Sequence, residues 1–402
     1  MLKKRRGNKR IKYIVFLLAV AFLICNFTIS ACAEDDLQDK GSIIDEQADT
    51  YEIKDLNDRL EDIDPEFIYN LLGTKYNDNL LADIAKGKIR FDFNQMTRYI
   101  LGIIFKEVKI NLEIMIKLVI VCMLYSFLKT IQSSFMGSNI LEIGFFACYV
   151  VVVSIILISL GETARLGLDA ISKMIDFMFA TIPILLGLLS AGGNIVSSGI
   201  FKPIIVMMAE VCAVFMRNFF IPLIMFASII SIVNNVSDKI QLSRLSSFLK
   251  QICLWVLAFI MTAFMAVLSV QGSVGSVADG IAGKTAKTAI GFIPVAGKYL
   301  ADATDTVFAC AMLIKNAAGI AVMIGILGIC IMPMLKITAI ICVYKITCIL
   351  VEPITDKRIT ESINECANAA SFILGIAACV TFMFILAVTV MIGAANASLM
   401  IR

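Results

Sequence analysis

The sequence predicts an all-α fold, a polytopic bundle of membrane-spanning helices. Hydrophobic residues make up 59% of the 402 residues, charged residues only 17%, and the mean hydropathy is +0.89. A soluble domain is nearer half apolar and a quarter charged. Long charge-free stretches recur along the chain, and the alternating pattern of a β-barrel is absent from the sequence. Because backbone polar groups in lipid must be satisfied internally, these stretches are expected to be helices.

The composition also excludes several kinds of active site. The chain contains no histidine, which excludes Ser-His-Asp and Cys-His catalysis and metal sites that depend on imidazole. Its twelve cysteines form no CxxC motif, and those beyond the first 33 residues lie in or beside apolar stretches. Cysteine in such places acts as a small apolar residue. The sequence therefore predicts no catalytic residue, no metal site and no cofactor.

The first 33 residues are predicted to be a signal peptide. Seven basic residues and no acid precede an apolar stretch over 13–29, and small residues follow. This order predicts cleavage after Ala33, with Ala31 and Ala33 as the cleavage-site residues. Two alternatives stay open: a lipobox that would place a lipid on Cys32, and an uncleaved first transmembrane helix. All three place residue 34 outside the cytoplasm, because the basic end stays inside.

An acidic segment follows the signal. Residues 34–66 carry fourteen acidic residues against three basic ones, a net charge of −11. With few large apolar residues, this part cannot bury enough surface to offset chain entropy. Apolar residues at helical spacing in 67–109 predict short amphipathic helices near the membrane. We interpret 34–109 as an acidic extracytoplasmic segment, either a solvated spacer or a docking segment for basic partner surfaces.

Residues 110–402 are predicted to form the transmembrane domain, with seven to nine helices after the signal. A span needs roughly 20 apolar residues. Three weaker candidates are interrupted by charges, at 110–128, 203–216 and 337–351. Six stretches contain no charged residue: 143–161, 177–201, 218–237, 251–278, 316–335 and 366–401.

The charges between these stretches predict an orientation. An extracytoplasmic residue 34 places Lys129 on the cytoplasmic side. With every candidate span counted, residues 238–250, with a net charge of +2, also lie there, in agreement with the positive-inside rule. Residues 352–365 carry four acids against two basic residues and are assigned to the outside.

Charged residues inside the apolar stretches are candidate functional residues, because intramembrane charge is costly and often functional. One interpretation is an ion or proton path; the other is pairing that fixes helix packing. Lys315 and Lys336 lie near span ends and are expected to snorkel to the interface. The candidate intramembrane charges are Glu113, Lys117, Glu210, Arg217 and Lys345.

A glycine- and proline-rich segment, 271–316, interrupts the later spans. Its glycines offer small surfaces where helices approach closely, and Pro294 and Gly297 are expected to break a continuous span. Such a segment suggests a re-entrant or tightly packed element; the alternative is an external loop with an interfacial helix. The candidate motif residues are Gly272, Gly275, Gly280, Gly283, Gly291, Pro294, Gly297, Asp302 and Asp305.

Part of this segment carries a family resemblance. The run GFIPVAGKYLADATDTV at 291–307, with LIKNAAG at 313–319, resembles the signature stretch of the stage III sporulation protein AE family. The layout of signal, acidic external segment and polytopic body is also similar, so the resemblance covers nearly the whole chain.

The resemblance implies a function that composition alone does not give. It implies a membrane subunit of the sporulation channel linking mother cell and forespore, required for forespore development and late gene expression, with no chemistry of its own. The implied location is the mother-cell membrane surrounding the forespore. The implied partners are the other membrane and ring-forming proteins of the channel, its cytoplasmic ATPase and a forespore-membrane protein, besides the lipid bilayer; no nucleic acid is expected.

An independent secondary transporter of a small solute or ion is the alternative function. Such transporters carry internal repeats with paired broken segments. Here the only counterpart to 271–297 is the weak candidate 177–193, which contains Pro183.

Overall fold

The structure, a computed structural model, describes residues 93–135, 138–191, 202–235, 242–291 and 297–400. This part of the chain is helical and has no strand, which confirms the predicted all-α class. The predicted signal with Ala31 and Ala33, the acidic residues 34–66 and Pro294 lie outside the described residues. The helices are α1 Phe93–Phe135, α2 Ser138–Ala191, α3 Lys202–Phe215, α4 Ile221–Asn234, α5 Ser243–Gly291, α6 Gly297–Val351 and α7 Lys357–Met400.

Six helical segments are long and apolar enough to cross a membrane within the described ranges. The prediction of seven to nine is not reached there, because some pairs of predicted stretches share one continuous helix. The stretches 316–335 and 337–351 both lie on α6, and Lys336 between them is one residue of a continuous helix. A charged side chain leaves the backbone hydrogen bonds of a helix intact. The six are Gln95–Thr130, Phe146–Leu188, Pro203–Asn234, Ser243–Val270, Leu313–Val351 and Lys357–Gly393.

Helix α1 extends further toward the N-terminus than the candidate span 110–128 predicted from the sequence. The sequence places a domain boundary between residues 109 and 110, yet α1 runs without a break from Phe93 across that point. Its outer surface carries large apolar side chains, and Phe105 is 70% exposed. On α5, Trp255 and Phe259 are similarly exposed. Exposed apolar surface of this extent suits contact with lipid.

The six segments run alternately up and down. Side-chain contacts join the end of α1, the start of α5 and the end of α6 to the first turns of α7, through Lys129, Lys250 and Lys345. We call this end of the bundle, which also holds the residue Asn235 that follows α4, the polar end. The predicted orientation, with Lys129 and 238–250 inside and 352–365 outside, is therefore wrong in placing them on opposite sides. The error comes from the span count. Because two predicted spans are one helix, α6, the chain crosses once fewer before residues 352–365, which therefore lie on the opposite side from the one predicted.

The last two helices form the centre of the bundle. Helix α7 packs against α2, α4, α5 and α6, and α6 also packs against α1 and α2. Helices α6 and α7 are antiparallel, with Cys330 Sγ 2.8 Å from Thr381 Oγ1 and Gly319 beside Ile392. Glycine lets these helix backbones approach closely.

A π-helical turn, Met216–Phe220, joins α3 to α4. The amide of Ile221 donates to the carbonyl of Met216, five residues back. The next residue, Pro222, has no amide hydrogen, and its ring would clash with the carbonyl four residues earlier in a regular α-helix. The wider turn removes that clash while the chain continues as one span, Pro203–Asn234.

Candidate functional site

Polar side chains from most of the helices meet around the first turns of α7 at the polar end. They are linked by hydrogen bonds and ion pairs between residues far apart in sequence. We call this group the polar cluster: Tyr125, Lys129, Tyr149, Asn235, Lys250, Lys345, Asp356, Ser362, Asn364, Glu365 and Asn368.

Asp356 connects α1 to the start of α7. It is the residue before α7, and its backbone carbonyl accepts from the amides of Ile359 and Thr360, as expected of a helix N-cap. Its carboxylate accepts a hydrogen bond from the Tyr125 hydroxyl and a second, of 2.5 Å, from Lys129 Nζ. Burial alone would raise the pKa of the Asp356 carboxyl, but the bonds from Lys129 and Tyr125 outweigh it and hold that pKa below its ordinary value.

Tyr149 and Ser362 connect α2, α4 and α7 in the interior. The Tyr149 hydroxyl lies 2.7 Å from the Ile232 carbonyl oxygen, to which it donates, and 2.9 Å from Ser362 Oγ. Asn235 Nδ2 donates to the same Ser362 oxygen at 3.1 Å. Tyr149 is 1% exposed and Ser362 is fully buried. Buried polar groups need such partners, so this set fixes how the three helices pack.

Two lysines complete the cluster from α5 and α6. Lys250 forms a partly buried ion pair with Glu365, whose other oxygen accepts from Asn368 Nδ2 at 3.5 Å. Lys345 Nζ donates to Asn364 Oδ1 at 2.6 Å. Lys250 and Glu365 are also the last charged residues before the charge-free stretches of α5 and α7. They therefore mark the level at which both helices become apolar.

The polar cluster is arranged to hold helices together. Both acids that belong to it are ion-paired to lysines from other helices, so neither is poised as a general base. Among the described residues, no group of three or more Cys, Asp or Glu side chains is placed to hold a metal ion. The chemistry the cluster supports is helix pairing at one end of the bundle.

The candidate intramembrane charges lie in different parts of the bundle. Glu113 and Lys117 form an exposed ion pair of 2.6 Å on α1. Glu210 on α3 has one buried carboxylate oxygen with no hydrogen-bond partner among the described residues, and Arg217 lies in the π-helical turn. These two form no ion pair with each other. Lys345, which stands alone in its own stretch, finds its partners on α7.

The glycine-rich segment is helical over most of its length. Gly272, Gly275, Gly280 and Gly283 lie on α5, which ends at Gly291, and α6 begins at Gly297. Asp302 and Asp305 lie in the first turns of α6. Helix α5 thus ends before the predicted break at Pro294, and α6 begins after it. A re-entrant or partner-binding role for this segment stays a prediction.

Two features were missed by sequence reasoning. Lys315 does not snorkel, because its side chain is completely buried in α6. Helix α2 also carries five exposed charged residues between its two apolar ends. We call these the charged row: Glu162, Arg165, Asp169, Lys173 and Asp176. Their spacing of three, four, four and three residues is the signal that would have placed them on one helix face.

Comparison with known proteins agrees with the resemblance in the sequence. The family described as stage III sporulation protein AE matches residues 76–395. The stage III sporulation protein AE of Bacillus subtilis (strain 168) is 29% identical over 323 residues, which cover 80% of this chain and 81% of that protein. No solved structure matches the chain.

Proposed function

The chain belongs to the stage III sporulation protein AE family, which implies a role in sporulation, and we propose that it is a membrane subunit of the channel complex linking mother cell and forespore. The observation that carries this proposal is the extent of the match. Residues 76–395 include all six candidate spans, from Gln95 to Gly393. The family is therefore defined by the membrane body itself.

The subunit has a structural or permease-like role in this proposal, without chemistry of its own. The paired charges of the polar cluster support it, because they connect helices. The two acids among the candidate intramembrane charges, Glu113 and Glu210, lie on different helices and form no chain of acids of the kind that relays protons.

The orientation in the mother-cell membrane follows from the direction of the helices. If residue 34 is extracytoplasmic, α1 enters from outside and the polar end faces the cytoplasm. The connection between α5 and α6 then faces outside, on the same side as the acidic residues 34–66. We propose that this side, with the segment 271–316, binds the ring-forming and forespore-membrane partners, while the cytoplasmic ATPase acts from the polar end.

Affinity purification of a tagged full-length chain from sporulating cells tests the proposal. We expect the other channel proteins to co-purify with the wild-type chain. Gly283→Leu should remove the partners that bind at 271–316, because leucine would fill a surface kept small by glycine. Gly375→Leu on α7 is the matched control, since a Cβ atom at Gly375 would meet nothing within 4 Å.

Two outcomes would contradict the proposal. Purification of the wild-type chain alone, with substrate-dependent uptake after reconstitution in liposomes, would favour an independent transporter. Equal recovery of partners with Gly283→Leu and Gly375→Leu would remove 271–316 from the docking surface. Membrane content of each variant is measured first, so that loss of partners is compared at equal amounts of protein.

A further inference from the structure

The charged row on α2 has an unusual position for a membrane helix. Glu162, Arg165, Asp169, Lys173 and Asp176 alternate in sign and are exposed at the surface of the bundle. They extend over about 21 Å of helix at 1.5 Å per residue. None of the five forms an ion pair with another described residue.

At least two charges of the charged row lie at membrane depth for a bilayer core placed anywhere within the candidate span of α2. The candidate span Phe146–Leu188 is about twice as long as the roughly 20 residues that a bilayer core requires. Every window of that length within it contains at least two of the five charges.

The packing of α2 against α7 also places the charged row at membrane depth. Gly167 lies against Ile373, and Met174 accepts a hydrogen bond from Thr381. The charged row therefore runs beside the charge-free stretch 366–401 of α7.

The same face of α2 is apolar on both sides of the charged row. Ile158, one turn before it, is 67% exposed, and Phe179, one turn after it, is 71% exposed. These flanks suit lipid or another apolar helix. Five charges between them do not suit lipid, because ionisable groups in membrane helices face a bundle interior, a partner or water. This face of α2 thus needs a partner that the single chain does not provide.

We propose that the charged row is an interface with a second copy of this chain. All copies insert in the same orientation, so the two α2 helices run parallel about an axis along the membrane normal. Each basic residue then lies between two acidic residues of the facing helix, one step of three or four residues above and below. Arg165 is level with its own counterpart and lies one step from Glu162 and Asp169 of the second copy, and Lys173 lies one step from Asp169 and Asp176.

The alternating signs are the reason for choosing a second copy. A row of one sign would need a partner of opposite charge, whereas an alternating row offers each basic residue of an identical facing row an acidic residue one step above and one step below. Long arginine and lysine side chains reach over such a step. This inference goes beyond the proposed function, because it concerns how copies of the chain meet and would hold for a channel subunit or a transporter.

Cysteine cross-linking in native membranes tests the proposal, using the full chain with its own cysteines replaced. A single cysteine at Ile158 or Phe179 should form a cross-linked dimer, because a residue near the axis meets its own counterpart. A single cysteine at Phe259 on α5 is the matched control, equally exposed at 73% but on another face, and it should stay monomeric.

Charge variants then separate the charged row from a general effect on folding. An all-acidic row, Arg165→Glu with Lys173→Glu, should lower the cross-linked fraction by about tenfold, because like charges repel across the interface. An all-basic row, Glu162→Lys with Asp169→Lys and Asp176→Lys, should do the same. When both variants are made in one cell, cross-linking between them should return, which misfolded chains would not allow.

Two results would overturn the proposal. Absence of cross-linking at both Ile158 and Phe179 in the wild-type background would show that the five charges pair along their own helix and that α2 does not meet a second copy. Unchanged cross-linking of the all-acidic variant would show that α2 helices meet without using the charged row. Either result overturns the proposal and leaves the assignment of the channel role unaffected.

Discussion

At the scale of single residues, Asp356 is the more exposed of the two acids in the polar cluster. Its ionisation links the stability of the protein to pH. Its carboxylate joins Tyr125 and Lys129 of α1 to the start of α7. Because the pKa of the folded state lies below the ordinary value of 3.8, the stabilisation is complete above that pH. It is lost as the pH falls through the folded-state pKa.

Asp356→Asn should lower the free energy of unfolding by about 1 kcal/mol at neutral pH, since the pair with Lys129 is partly solvent-screened. The difference between wild type and variant should shrink as the pH falls below 3.8, because the wild-type carboxylate then also becomes neutral. Thermal unfolding of the purified protein in detergent at a series of pH values measures both effects.

A second substitution in the same turn controls for the loss of negative charge. Glu352 is exposed and forms no ion pair with a described residue, so Glu352→Gln should leave the free energy of unfolding unchanged. An equal effect of the two substitutions, or a variant difference that grows toward low pH, would contradict the assigned role of Asp356.

At the scale of helices, the contact of α2 with α7 depends on one glycine. A Cβ atom at Gly167 would lie 2.5 Å from Cγ2 of Ile373 and 3.6 Å from Cδ1 of Ile221. Ile373 is fully buried, and its Cγ2 is attached next to the backbone, so it has little freedom to move. Gly167 therefore sets how closely α2, α4 and α7 approach.

Gly167→Ala should destabilise the protein by about 1–3 kcal/mol, as expected for overpacking of a close helix contact. Gly161→Ala, on the same helix, should be neutral or stabilising by up to about 1 kcal/mol, because alanine favours a helix and nothing lies within 4 Å of the added carbon. Thermal unfolding of the two variants in one detergent gives the comparison.

A double substitution checks the assigned neighbour. Combining Gly167→Ala with Ile373→Ala should cost less than the sum of the single effects, because the clashing methyl group is then absent. Strict additivity, or destabilisation by Gly161→Ala as large as that by Gly167→Ala, would show that the contact does not limit packing.

The helices themselves were largely predictable, while their pairing was not. The charge-free stretches identified apolar helices, and the spacing of four residues between Glu113 and Lys117 is one at which two side chains on a helix can pair. Helix boundaries failed where a charge was taken as an interruption, as at Lys336 in α6. The partners of Tyr149 and Lys345 lie on other helices, and Tyr149 is 213 residues from Ser362. Such contacts depend on register between helices, which local spacing does not encode.

At the scale of the whole molecule, the helices alternate in direction, so the two ends of the bundle lie on opposite sides of a membrane that the six segments cross. The polar end contains the paired residues Lys129, Lys250, Asp356 and Glu365. The end of α5 and the start of α6 lie at the other end. Once the side of one residue is known, the side of every helix end follows. If residue 34 is extracytoplasmic, it is that residue.

Labelling of single cysteines with a membrane-impermeant maleimide tests this orientation in a chain whose own cysteines are replaced, on intact protoplasts of cells that express the chain without forming a forespore. Ser42→Cys should react from outside, because it lies in the acidic segment. Glu352→Cys, an exposed residue at the polar end, should react only after permeabilisation. Reaction of both from outside would contradict the alternation of the six helices. The reverse pattern, with Ser42→Cys protected and Glu352→Cys labelled, would keep the alternating bundle and invert it, placing 271–316 and its proposed partners in the cytoplasm.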